Sequence, residues 1–342
     1  MSPSVQARRF MAGLFPLAAL AAVLPVFVDN PYYLNVLNLT ALNVLVVTGL
    51  NLLIGFAGQI SLGHAAFFGL GAYVSGILSA GYGVPPWLAL VAAVCLVCLV
   101  ALAIGVPVLR LSGNYLVMAT LGFNIIVTVL LVQMEEFTGG SSGYVGIPPL
   151  RIAGIALDSD FSFYWLAWGL ALLGLVPARN LAHSHVGRGL RALHDSPQAA
   201  RACGVPVASY KIRIFVLSAA YAAVAGALYA HSFGIVTPKT FDIFKSVELV
   251  TMCLVGGMGS LWGGLFGAAF LTPLPQLLHV FQEYQDLIFG GVLLLLLLFL
   301  PQGLVGRLEE SLARRGLAGI HPPLEEAAPR EVEAESLSED AP

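Results

Sequence analysis

Residues Arg179–Arg213 read RNLAHSHVGRGLRALHDSPQAARACGVPVASYKIR. The segment holds six Arg/Lys and one acid, Asp195, in a chain whose other inter-helix segments are short or nearly uncharged. Basic loops between apolar spans favour the cytoplasmic side of a membrane. The stretch therefore reads as a structured cytoplasmic loop. Its small residues at fixed spacing suggest a surface on which another protein docks.

Composition agrees with a membrane setting. The chain is 58% hydrophobic and 10% charged, with mean hydropathy +0.86, whereas soluble domains carry about 25% charged residues. Nine of the 19 acids follow Gly306, so the net charge of −3 belongs to the tail. No basic, aromatic-interleaved patch points to nucleic acid. Cys95 and Cys98 form a C-x-x-C inside an apolar helix without polar neighbours, which reads as packing rather than a zinc or redox site.

A helix needs about 20 apolar residues to span the hydrocarbon core. The candidates are Phe10–Val28, Leu34–Phe56, Ser61–Ala80, Pro86–Leu109, Tyr115–Met134, Phe161–Pro177, Ile214–Val236, Val247–Trp262, Gly264–Val280 and Leu287–Leu304. The fold class is thus all-α, a polytopic bundle of about ten spans. A re-entrant hairpin over Val247–Val280 would reduce the count to about eight without moving the ends. Arg8 and Arg9 place the N-terminus in the cytoplasm, and Arg307, Arg314 and Arg315 do the same for the C-terminus. The expected organisation is a cytoplasmic start over 1–9, a membrane-spanning domain over 10–304 and a disordered acidic tail over 305–342. Arg8-Arg9 before an apolar run resembles a signal peptide, but Ala19-Leu20-Ala21 lies inside the run, so a retained first helix is expected.

Catalytic motifs are missing. Lys211, Lys239 and Lys245 are the lysines of the chain, and none follows a glycine as a phosphate-binding loop requires. Gly139–Gly143 matches G-x-S-x-G only in letters, in a Gly/Ser-rich external connection without the strand-to-helix turn that exposes a nucleophile. Paired carboxylates within spans are missing too, which weakens proton-driven transport by a stand-alone carrier.

Two glycine-rich hairpins attract notice instead. Asn51, Gln59, Ser61 and His64 fall among Gly55, Gly58 and Gly63 at a span end, a pattern that suits a pathway or gate as well as packing. Gly257-x-x-Ser260-Leu261 echoes Gly58-x-x-Ser61-Leu62, which hints at an internal repeat. In the basic loop, Asp195 or Ser196 can cap a short helix beginning at Pro197, and Gly204 supplies its left-handed end. That helix would present Gln198, Ala199 and Ala200, flanked by Arg188 and Arg191. The same segment also suits an ordinary amphipathic helix held to lipid.

Three blocks carry a resemblance: GLNLLIGFAGQISLGHAAFFGLGAY from Gly49, GRGLRALHDSPQAARACGVPVASYKIRIFVLSAAYAAVAGALYAH from Gly187, and GGMGSLWGGLFGAAFL from Gly256. They resemble the LivM-type permease subunit of branched-chain amino acid ATP-binding-cassette transporters. The likeness runs from the second span to Pro301-Gln302-Gly303-Leu304. It implies the fold of type II importer permeases, in the inner membrane of a prokaryotic cell. It also implies a second related permease, two cytoplasmic ATP-binding subunits and an extracytoplasmic binding protein. ATP and Mg would be bound by those partners and no cofactor by this chain. Gln198-Ala199-Ala200 and Gly204 fall on the family's coupling motif, with Gln198 where many members have Glu. A urea or short-chain amide permease of the same superfamily is the alternative cargo reading.

From the missing phosphate-binding loop, the subunit reconstituted alone is expected neither to hydrolyse ATP nor to accumulate solute. Uptake against a gradient by the isolated chain would restore the stand-alone carrier.

Overall fold

The computed structural model describes residues 30–152, 155–278 and 285–299, with positions 19, 21, 23–25 and 303. The expected first span lies, apart from a few positions, outside these residues, as does the acidic tail. The α-helices of five or more residues, in chain order, are α1 (Pro31–Asn51), α2 (His64–Ala80), α3 (Pro86–Val108), α4 (Asn114–Gln133) and α5 (Asp160–His183). There follow α6 (His185–Asp195), α7 (Pro197–Ala202), α8 (Val207–Phe233), α9 (Ile243–Gly256), α10 (Leu261–Leu271), α11 (Leu274–Leu278) and α12 (Gln285–Phe299). Among the described residues, six helices are long and apolar enough to cross a membrane: α1 with its extension to Phe56, α3, α4, α5, α8, and α10 taken through α11. Helix α2, with 17 residues, is a shorter apolar one. The chain is an all-α polytopic bundle.

Several boundaries differ from those read in the sequence. Helix α8 starts seven residues before the expected Ile214, because Pro206 precedes it and the basic Lys211 and Arg213 continue the helix rather than end it. Helix α5 runs past Pro177 to His183. The expected Val247–Trp262 span ends at Gly256, where Gly257 takes a positive φ of 116°, and Trp262 belongs to α10. A five-residue π-helical turn, Leu52–Phe56, extends α1. Cys95 is exposed and Cys98 only half-buried, so the pair lies on the outer face of α3 rather than packed in the core.

Helix α1 is central: 94% of its most apolar window is buried, against 28% for α3 and for α4. Helices α3 and α4 turn apolar faces outward, including Leu99, Tyr115 and Met118. Lipid contact is the role such faces can serve.

Glycine permits a close contact between α2 and α8. A Cβ on Gly226 of α8 would collide with the Phe68 carbonyl of α2, and one on Gly71 of α2 would collide with the Ala223 backbone of α8. The two backbones therefore touch, as small residues permit in membranes. Two histidine–serine pairs flank the contact, His64 Nε2 to Ser218 Oγ at 2.9 Å and Ser75 Oγ to His231 Nε2 at 2.9 Å. These pairings advance along both helices in the same sense, so α2 and α8 run parallel. Helix α10 runs antiparallel to α1, because Val47 packs on Gly264 and Asn43 Nδ2 donates to Thr272 Oγ1 at 2.9 Å.

At the far end of α2 and α8, strand β1 (Tyr144–Val145) pairs antiparallel with β4 (Ile235–Val236), and β2 (Arg151–Ile152) pairs with β3 (Ile155–Ala156). His231 Nδ1 donates to the Pro148 carbonyl at 2.8 Å, tying that connection to α8. The expected external segment is thus folded against the bundle.

Gly226→Ala should lower the melting temperature of the purified subunit in detergent, because overpacking a close contact costs about 1–3 kcal/mol. A Cβ on Gly122 of α4 would meet nothing within 4 Å, so Gly122→Ala should leave the melt unchanged or raise it through helix propensity. Equal melts for the two variants would show that the close contact is not limiting.

Candidate functional site

The basic loop folds into α6 and α7. Ser184 caps α6 by accepting from the Val186 and Gly187 N–H groups at 3.1 and 3.3 Å. Ser196, not Asp195, caps α7, accepting from Ala199 N–H at 3.2 Å. Helix α6 is amphipathic: Gly187, Leu190 and Leu193 are buried, while Arg188 and Arg191 are exposed. In α7, Gln198 and Ala199 are exposed, as are Arg201, Ala202 and Gly204 after them. Ala200 is only 3% exposed and belongs to this chain's own core, so it cannot itself meet a partner. Gly204 sits at φ +80°, with open space around its Cα. The surface on offer is Gln198, Ala199 and the turn to Gly204.

The two flanking arginines are engaged within the chain. Arg188 donates to His185 Nδ1 at 2.6 Å. Arg191 donates to the Ala182 carbonyl at 3.2 Å, and its guanidinium stands 5.4 Å from the Phe56 ring centre. A carbonyl at the end of α5 and a ring in the π-helical turn thus both hold the basic helix in place.

His194, which carried no signal in the sequence reading, makes the most informative contact. Its Nδ1 lies 3.1 Å from the Gly55 carbonyl, inside the π-helical turn. A Cβ on Gly58 would come within 3.1 Å of the same imidazole. The loop and the first glycine-rich hairpin are therefore in direct contact.

The second hairpin joins at the same place. Asn51 Nδ2 donates to the Ser260 carbonyl at 2.6 Å, and Gly259 N–H donates to Asn51 Oδ1 at 3.0 Å. A Cβ on Gly55 would collide with the Gly259 N–H. Gly257 and Gly259 both take positive φ, +116° and +77°, which lets the loop turn back over α1. The two Gly-x-x-Ser loops lie side by side, at the end of the bundle where α6 sits.

The pathway residues expected from sequence divide into two kinds. Asn51 is fully engaged as a clamp on the second loop. Ser61 Oγ accepts from Gly63 N–H at 3.4 Å, Thr120 Oγ1 from Leu62 N–H at 3.0 Å, and Ser246 Oγ from Ala65 N–H at 3.1 Å. These hydroxyls, drawn from the first loop itself and from α4 and α9, satisfy the open N–H groups at the start of α2. His64 is bound to Ser218, whose own hydroxyl donates to the Phe215 carbonyl at 2.9 Å. His64 Nε2 must then carry the proton. Gln59 differs: it is 3% exposed, and neither amide atom has a partner among the described residues. An unmet buried polar atom is destabilising by about 1–3 kcal/mol. Gln59 is therefore the residue of this segment with most to gain from a rearrangement.

Asn51→Leu strands the Gly259 N–H and the Ser260 carbonyl and should lower the melting temperature of the purified subunit. Gln59→Leu removes an unmet amide and should not lower it. If both variants melt like the parent, the clamp is not needed for stability.

Residues 32–297 match the family described as branched-chain amino acid transport system / permease component. The chain is 31% identical over 265 residues to the high-affinity branched-chain amino acid transport system permease protein LivM of Escherichia coli (strain K12), covering 71% of this chain and 62% of that one. It is 31% identical over 147 residues to the LivH permease protein of Salmonella typhimurium, covering 42% of this chain and 47% of that one. It is 28% identical over 249 residues to the autoinducer 2 import system permease protein LsrC of Salmonella paratyphi B, covering 68% of this chain and 67% of that one. The chain spans about 62% of the length of the LivM relatives it matches. No solved structure matches it. With a match over most of its helical core, the chain belongs to the branched-chain amino acid transport system permease family.

Proposed function

We propose that the chain is one permease subunit of an ATP-driven importer that moves branched-chain or similar hydrophobic amino acids into the cell. The observation that carries the mechanism is the contact of His194 on α6 with Gly55, beside the Asn51 clamp on the second loop. A push on α7 reaches α6 and, through His194 and Arg191, the turn that links both glycine-rich hairpins. The spans then rearrange about a central path, with alternating access as the outcome. ATP and Mg belong to two cytoplasmic partner subunits. A second related permease completes the path, and an extracytoplasmic binding protein supplies most of the selectivity. Both termini lie in the cytoplasm of a cell with this chain in its inner membrane.

The cargo is tested by binding a panel of branched-chain amino acids, short amides and urea to the partner binding protein. Amide or urea binding without amino acid binding would overturn the cargo and leave the permease role standing.

The docking assignment is tested separately. A side chain at Gly204 must adopt a left-handed backbone, which costs roughly 1–2 kcal/mol, and about 1.4 kcal/mol corresponds to tenfold weaker association. Gly204→Val and Ala199→Glu should reach normal membrane levels, yet co-purify poorly with the ATP-binding subunits and lose substrate-stimulated hydrolysis. His194→Ala should keep the complex together but uncouple hydrolysis from uptake. Full transport by all three variants would leave α7 an ordinary surface helix.

A further inference from the structure

A cavity of about 650 Å³ lies between α1, α2, α8, α9, α11 and α12 and the linker that follows β4. Its volume falls within the range of about 300–1,000 Å³ common to small-molecule sites. Charge is scarce in the helical body of this chain, yet Lys239, Asp242, Lys245 and Glu248 all line this one cavity. Two of the three lysines in the whole sequence are among them. Apart from Thr240 and Thr251, the remaining wall is apolar and aromatic and includes Phe68, Tyr229 and Phe233.

The charges are arranged, not scattered. Lys245 Nζ lies 3.1 Å from Glu248 Oε2, with the two side chains only 11% and 24% exposed. Asp242 caps α9 through Oδ1, which accepts from Lys245 N–H at 3.2 Å. An i,i+3 pair contributes little to stability when solvated, and ionisable groups within membrane helices mark substrate paths more often than packing. The cavity holds two positive and two negative groups, so it presents no net charge. A lone anion or a lone cation would meet as much repulsion as attraction there. A molecule carrying both charges on one carbon, with an apolar side chain, would meet neither penalty.

We propose that this cavity receives the free α-amino acid in transit. Its carboxylate faces Lys245 and Lys239, its ammonium group faces Glu248 and Asp242, and its side chain lies against Phe68, Tyr229 and Phe233. This rests on the amino acid reading of the cargo and adds a site within this chain for it. Phe241 stands behind this aromatic wall: it is 1% exposed, packs on Gly69 and makes edge contacts with Phe68 and Tyr229.

The test uses the full transporter in proteoliposomes. Glu248→Gln and Lys245→Gln should each lower the maximal leucine uptake by about tenfold, a loss of ~1.4 kcal/mol, with the complex recovered at the parent yield. The exchanged pair K245E/E248K restores an ion pair at the same positions and should not restore uptake. A second measurement places a cysteine at Thr240 in a chain whose native cysteines are replaced. Leucine should slow its maleimide labelling, whereas 3-methylbutylamine and 4-methylpentanoate, each lacking one charge, should not. Wild-type uptake from both single variants, rescue by the exchanged pair, or labelling indifferent to leucine would each overturn the site. Failure of the wild-type transporter to take up any amino acid would instead overturn the cargo reading.

Discussion

Everything else in the bundle depends on how closely α2 and α8 approach. Gly226 against the Phe68 carbonyl and Gly71 against Ala223 bring two backbones together, where lipid offers no hydrophobic drive for association. Dispersion and hydrogen bonds must hold such a pair. The His64–Ser218 and Ser75–His231 bonds do so at its two ends. With this pair fixed and parallel, α1 packs against α8 through Gly49 and Tyr221, and the phenol of Tyr221 donates to the Gly174 carbonyl of α5 at 2.7 Å. Helix α5 is thus positioned at Gly174 and tied to α8 by a polar group.

Most of the bundle was legible because span placement follows composition. A run of apolar residues long enough to cross has few alternatives to a helix in lipid. Helix ends were less legible. The start of α8 at Val207, directly after Pro206, and the continuation of α5 beyond Pro177 to His183 are features that hydropathy does not register. The π-helical turn after Asn51 left no trace in composition. It is a property of how that stretch meets the second loop and His194.

The site was legible as a place but not as a set of roles. Polar residues at membrane depth must find partners, so a junction that ties helices together and a path that passes solute look alike in sequence. Asn51 read as a pathway residue because its partners, Gly259 and Ser260, stand more than 200 positions away. Ala200 read as a contact residue because small size suits both a docking face and a crowded core. Only the geometry separates those uses, by turning Ala199 outward and Ala200 inward.

The π-helical turn over Leu52–Phe56 also fixes an angle. An α-helix advances about 100° per residue, so one residue more or less in that turn would swing all that follows by roughly a quarter revolution. The Gly58–Gly63 loop would then face away from His194 and the second hairpin, although every side chain were kept. Residue count between Asn51 and Gly58 is therefore as strong a constraint on this junction as the residues themselves. Point substitutions there perturb contacts one at a time, whereas a single insertion or deletion would put the whole assembly out of phase.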